Sequence, residues 1–133
     1  MLDSLKHTNV LKLNDKELHL LARLTGITRT PANILRQLTK RYSLDFVALT
    51  LGANGAILMK GDEVSQCPGV ETIVVDTVGA GDAYTAALVI GLLNGQNLET
   101  INRKACQVAA YVCSQSGATP LLPEWLSEEL CSP

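Results

Sequence analysis

Six consecutive residues, Phe46-Val47-Ala48-Leu49-Thr50-Leu51, are apolar but for one threonine, and this run constrains the fold more than any other segment. A strand with one wet face alternates apolar and polar residues, whereas a continuous apolar run of this length suits a strand covered on both faces, as in a parallel sheet. The run is therefore expected at the centre of a sheet. Segments with helical signals surround it. Asp15 to about Thr25 reads as a helix stopped by Gly26, and Thr30-Pro31 as an N-cap with proline at the first helical position, opening a helix to about Tyr42. Val10–Leu13 and Val74-Val75 read as short strands, and Ala56–Lys60 with Glu63–Cys67 flank the turn pair Gly61-Asp62 as a hairpin.

Further along, Ala83, Ala86, Ala87, Ile90 and Leu93 recur at helical spacing between Ala80 and Asn94, and Gly95 follows as a left-handed cap. Leu98, Ile101, Ala105, Val108, Ala109 and Val112 predict the next helix, and a last one runs from Pro123 to about Leu130. Strands alternating with helices give an α/β fold with a mostly parallel sheet.

The length of 133 residues suits one domain. Hydrophobic residues at 47% and charged residues at 18% supply a core and exclude intrinsic disorder. A formal charge of −2 without a basic run argues against a nucleic-acid partner. The apolar stretches are too short for a bilayer span, and no charged-then-apolar leader opens the chain, so a cytoplasmic protein is expected. Cys67, Cys106, Cys113 and Cys131 have no Cys-x-x-Cys spacing and no clustered histidines, which fits four reduced thiols rather than a zinc site.

The chemistry concentrates in Asp76-Thr77-Val78-Gly79-Ala80-Gly81-Asp82, set between an apolar segment and an amphipathic helix. Glycines let the backbone approach a ligand closely, and the first N–H groups of the following helix point outward with the positive end of the dipole behind them. The spacing excludes two familiar phosphate motifs. The dinucleotide pattern would need a glycine at Tyr84, and the P-loop would need a Gly-Lys-Ser/Thr. On position alone, Asp82 reads first as a carboxylate placed for the helix dipole, and Asn14 with Glu17 fits a capping box as well as a metal role.

The string resembles the second signature of the ribokinase-like, or PfkB-type, carbohydrate kinases: Asp-Thr-x-Gly-Ala-Gly-Asp, then a small residue and an aromatic. Asn14-Asp15-Lys16-Glu17 resembles the family's Asn-x-x-Glu motif, Thr50 to Gly55 its strand-end nucleotide loop, and Gly117-Ala118 its closing turn. The resemblance covers essentially the whole chain. It implies a ribokinase-like three-layer sandwich of which residues 1–133 are the C-terminal half, carrying the nucleotide-binding and catalytic part.

By resemblance, Asp82 is the general base that takes the proton of a sugar hydroxyl as it attacks ATP, and Gly79, Ala80 and Gly81 form the anion hole. Asn14 and Glu17 help hold a hydrated Mg²⁺ on the ATP phosphates. Thr50, Gly52 and Gly55 lie along the nucleotide, and the start of the last long helix, around Cys106 and Ala109, lines the adenine pocket; many members carry Asn or His where this chain has Cys106. Asp76, Val78 and Gly117 border a K⁺ site. The string through Tyr84-Thr85-Ala86-Ala87-Leu88 resembles fructokinase-type members, which makes fructose the first-choice acceptor. Such kinases are usually more than twice this long, and the N-terminal portion carries most sugar contacts. A truncated nucleotide-binding or assembly module that transfers nothing is therefore the rival expectation, and Val10–Leu13 is a strand through which the chain could pair with a copy of itself.

Overall fold

The computed structural model describes residues 2–27 and 30–132. A short helix α1 (Leu2–Leu5) leads into β1 (Val10–Asn14), α2 (Asp15–Thr25), α3 (Pro31–Tyr42) and β2 (Phe46–Thr50). A 3-10 turn (Gly52–Asn54) joins β2 to β3 (Ala56–Lys60), and β4 (Glu63–Cys67) completes a hairpin. The chain ends in three helices, α4 (Ala80–Leu93), α5 (Leu98–Cys113) and α6 (Glu124–Cys131). None of the described helices is long and apolar enough to cross a membrane.

The four strands form one sheet in the order β1-β2-β3-β4. All residues of β2 but Thr50 are buried, as the unbroken apolar run requires. Successive side chains of a strand point to opposite faces. Val47 and Leu49 face Leu18 and Leu21 of α2 and Leu35 and Leu38 of α3, while Phe46 and Ala48 face Tyr84 and Leu88 of α4 and Ile101 and Ala105 of α5. Helices thus cover both faces, which makes the α/β assembly three layers deep.

The expected mostly parallel sheet is, in the described residues, a mixed one. β1 and β2 run parallel with Val10 opposite Phe46, but β2–β3 and β3–β4 are antiparallel. Connection length explains the difference. Parallel neighbours need a crossover of a dozen or more residues, and only β1 and β2 have one, through α2 and α3. The tight turns at Gly52–Asn54 and Gly61-Asp62 can only reverse the chain.

Two further expectations are corrected. Val74-Val75 is not a strand but an exposed segment whose Val75 N–H donates to the Cys113 carbonyl at 2.8 Å, at the end of α5. Among the described residues no strand lies beside it to build a ladder. On α4 the buried positions are Tyr84, Ala87, Leu88 and Gly91, whereas Leu93 is 82% exposed. This helix is apolar almost all round, so spacing alone selects no stripe. The bulk of Tyr84 and Leu88 and the close approach at Gly91 decide the face: a Cβ there would stand 2.7 Å from Cγ1 of Ile101.

Candidate active site

The glycine turn is held by contacts that run well beyond the motif. Gly79 is the N-cap of α4 with φ 84°, in the left-handed region. A Cβ at this position would strike the carbonyl oxygen of Ala118 and stand 2.8 Å from its Cα, so only glycine lets the Gly117-Ala118 turn close on the motif. The Asp76 carboxylate fastens the same junction. Its Oδ1 accepts the Val78 N–H at 3.0 Å and its Oδ2 accepts the Gly117 N–H at 3.4 Å. Asp76, Val78, Gly79 and Gly117 are therefore one cluster, and its carboxylate is satisfied by backbone N–H groups.

At the start of α4 the Ala83 N–H donates to Gly79 O at 2.8 Å, and the Ala80 N–H makes a long contact with Thr77 O at 3.4 Å. The N–H groups of Gly81 and Asp82 have no acceptor among the described residues. Of the residues expected to form the anion hole, Gly81 thus has an open donor, and Asp82 adds a second beside it, both backed by the helix dipole. The Asp82 side chain is exposed on the same first turn and makes no ion pair among the described residues.

Asn14 and Thr50 sit opposite each other at the carboxyl ends of the parallel strands β1 and β2, and Thr50 Oγ1 donates to Leu13 O at 3.3 Å. In open α/β sheets ligands bind at this end. The capping box read in the sequence is formed. Glu17 N–H donates to Asn14 Oδ1 at 2.9 Å, and Asn14 N–H donates to Glu17 Oε2 at 2.8 Å. No group of three His, Cys, Asp or Glu side chains among the described residues could enclose a metal ion. With Oε2 occupied, what Glu17 offers is one further carboxylate oxygen, which suits a hydrated ion carried by a phosphate ligand rather than a protein cage.

Gly52 and Gly55, expected along the nucleotide, form a second neighbourhood. Gly55 is buried with φ 90°, and a Cβ there would strike the Cys67 carbonyl; Gly69 in turn lies tight against Ala53 O. The Gly52–Gly55 loop is thus clamped to the end of β4. Cys106 and Ala109 are not at the start of the last long helix but within α5, and Cys106 is buried. Its thiol faces Asn102 Oδ1 at 3.8 Å. Burial, with Cys67 nearby, pushes the Cys106 thiol up to about 12. Its side chain belongs to the core, and only the half-buried Ala109 remains partly accessible.

Asn102 is the polar centre that the periodicity did not reveal. It accepts from Tyr84 Oη at 3.0 Å and donates to Ala56 O at 3.2 Å and Ser65 O at 3.1 Å, linking α4, α5 and the β3–β4 hairpin. A polar residue between Ile101 and Ala105 on a core-facing stripe was the available signal.

The profile of the pfkB family carbohydrate kinases matches residues 1–125. The chain belongs to the pfkB family. It is 34% identical over 119 residues to an uncharacterized sugar kinase of Archaeoglobus fulgidus, covering 90% of this chain and 45% of that protein. It is 34% identical over 131 residues to a ribokinase of Arabidopsis thaliana, covering 93% of this chain and 32% of that protein. The solved nucleoside kinase of Methanocaldococcus jannaschii superposes with a TM-score of 0.81 at 25% identity, over 97% of this chain and 42% of that one. The pfkB-family chain therefore spans less than half the length of these relatives, and its fold is ribokinase-like.

In this pfkB-family chain Asn14→Ala removes the side-chain acceptor of the α2 capping box. Loss of the cap is expected to lower unfolding free energy by about 1 kcal/mol in urea titration.

Proposed function

We propose that residues 1–133 are the nucleotide-binding and catalytic part of an ATP-dependent sugar kinase. The observation that carries this reading is the pairing, on one helical turn, of the acceptor-free N–H groups of Gly81 and Asp82 with the unpaired carboxylate of Asp82. The N–H groups face the oxygens on which charge builds during transfer, and one such donor is typically worth about 3 kcal/mol. The carboxylate takes the proton of the attacking hydroxyl, a general-base contribution of roughly 10²- to 10⁴-fold. Positioning of the two reactants supplies the remainder in a reaction that makes few covalent demands on the protein.

Mg–ATP is the donor substrate, with Asn14 and Glu17 at its hydrated metal, Thr50, Gly52 and Gly55 along the nucleotide, and Ala109 at the base. A K⁺ ion beside Asp76, Val78 and Gly117 would act through the carbonyls of that cluster, since the Asp76 carboxylate already serves two N–H groups. Fructose is the first acceptor to try, on the resemblance of the string from Asp76 to Leu88; ribose, 2-keto-3-deoxygluconate and a nucleoside would use the same turn. The open edge of β1 supports pairing with a second copy.

One observation favours a second reading, a nucleotide-binding module without turnover: the chain spans less than half the length of its relatives. Calorimetric titration of Mg–ATP, paired with a phosphorylation assay over those four acceptors, separates the two. Binding with phosphoryl transfer is the expected result. Binding without transfer supports the module, and absence of binding overturns both readings.

A further inference from the structure

α5 lies against β4 with two of its side chains in step with two of the strand's. Ser65 and Cys67 are half-buried while Val64 and Gln66 between and beside them are exposed, so Ser65 and Cys67 share the face of β4 toward α5. Asn102 of α5 reaches the first of them: its Nδ2 donates to Ser65 O at 3.1 Å and to Ser65 Oγ at 3.2 Å. Two residues advance a strand by about 7 Å, and four residues advance a helix by about 6 Å. The step from Ser65 to Cys67 is therefore matched by the step from Asn102 to Cys106, and Cys67 packs against the buried cluster that contains Cys106. The Cys106 thiol faces Asn102 Oδ1 at 3.8 Å and the Cys67 thiol faces Pro68 O at 3.5 Å. After burial, Cys67 is the neighbour that holds the Cys106 thiol up at about 12. Both cysteines are free thiols, and the proposed phosphoryl transfer uses neither sulfur.

We propose that Cys67 and Cys106 are a redox pair that a peroxide closes into a reversible disulfide between β4 and α5. Cys67 is half-exposed and meets the oxidant, whereas buried Cys106 is the thiol that closes the bond. In the first step the Cys67 sulfur forms a bond to one peroxide oxygen, the O–O bond breaks, and the thiol proton leaves in water. Cys67 is then a sulfenic acid. In the second step the Cys106 sulfur bonds to the Cys67 sulfur, the S–O bond breaks, and the departing hydroxide takes the Cys106 proton as water. Two electrons have passed from the thiols to the peroxide, and a small dithiol returns them. The bond also reaches the nucleotide loop. The Cys67 carbonyl oxygen is the atom that a Cβ at Gly55 would strike, and half-buried Ala109 stands three residues beyond Cys106 on α5. A disulfide holds its sulfurs at about 2.05 Å, nearer than two free thiols approach. Closure therefore draws the end of β4, with the Gly52–Gly55 loop clamped to it, toward α5 and narrows the space beside Ala109. A weaker hold on Mg–ATP follows, a consequence that rests on the nucleotide reading above.

The test is peptide mapping under non-reducing conditions after the folded chain has been treated with hydrogen peroxide and its remaining thiols blocked. A linked pair of peptides carrying Cys67 and Cys106, separated by dithiothreitol, is the expected result. The link should persist in the Cys113→Ser/Cys131→Ser chain and vanish in Cys67→Ser and in Cys106→Ser. If buried Cys106→Ser fails to fold, the half-exposed Cys67→Ser supplies the control. Both thiols left free, either one linked to Cys113 or Cys131 instead, or Cys67 carried on to the sulfinic acid unlinked would overturn the pair. Calorimetry on the closed and reduced chains should show Mg–ATP bound at least about fivefold more weakly when closed, with dithiothreitol restoring it. Equal affinities overturn the effect on the nucleotide loop. A reduced chain that binds no Mg–ATP overturns the nucleotide reading, and the peptide map then decides the redox pair by itself.

Discussion

Asp82→Asn is expected to reduce kcat by roughly 10²- to 10⁴-fold while Mg–ATP affinity is retained. Asparagine has the size of aspartate and leaves the backbone N–H groups of residues 81 and 82 in place, so the proposed phosphate site persists. It cannot accept the hydroxyl proton. The substitution also removes a first-turn carboxylate from α4, a loss of about 0.3–1 kcal/mol that is too small to unfold the chain. A steady-state assay with the best acceptor, run beside calorimetric nucleotide binding, separates catalysis from affinity. Near-normal turnover would sink the base assignment, and lost nucleotide binding would recast Asp82 as part of the phosphate site.

The second large effect is structural. Asn102 is fully buried, and replacing it by leucine leaves the Tyr84 hydroxyl without its acceptor and withdraws the side-chain donors from Ala56 O and Ser65 O. Burial, with Cys106 and Cys67 nearby, pushes the Tyr84 phenol well above its ordinary range, so it remains a donor in need of an acceptor. Each buried polar group left unpaired costs about 1–3 kcal/mol. Asn102→Leu should therefore lower unfolding free energy by about 3–5 kcal/mol, a large part of the total stability of a domain this size. Tyr84→Phe in the Asn102→Leu background should cost less than it does alone, because the orphaned hydroxyl is then gone. Urea unfolding of the two single variants and the double reads this directly. Additive losses would show that the Tyr84–Asn102 bond carries no coupling. Since Tyr84 stands two residues after Asp82, Asn102→Leu is also expected to weaken Mg–ATP.

The features readable in advance are those set within a few residues of one another. The capping box needs only Asn14 and Glu17 on one helical turn. Left-handed Gly26 and Gly95 end helices because a side chain is strained there, and the hairpin follows from Gly61-Asp62 between two strand-forming segments. The buried run Phe46–Thr50 announced a covered strand, and the Asp76–Asp82 string announced a glycine turn at a helix start.

Other features depend on what happens to lie opposite. Strand direction in the sheet followed from which connections were long enough to cross over, and Val74-Val75, strand-like by composition, found the end of α5 instead of a ladder. The wholly apolar α4 was turned by the bulk of Tyr84 and by the gap at Gly91. Cys106 went to the core because its side of α5 packs with Phe46, Ala48 and Leu88. The sequence by itself determined most of the elements, the capping box at Asn14 and the place of the glycine turn before α4, all governed by local periodicity and backbone conformation. Only the tertiary structure decided that Gly117-Ala118 closes on Gly79 and that Cys67 packs against the cluster holding Cys106, because contacts between distant segments arise from packing, which no local pattern encodes.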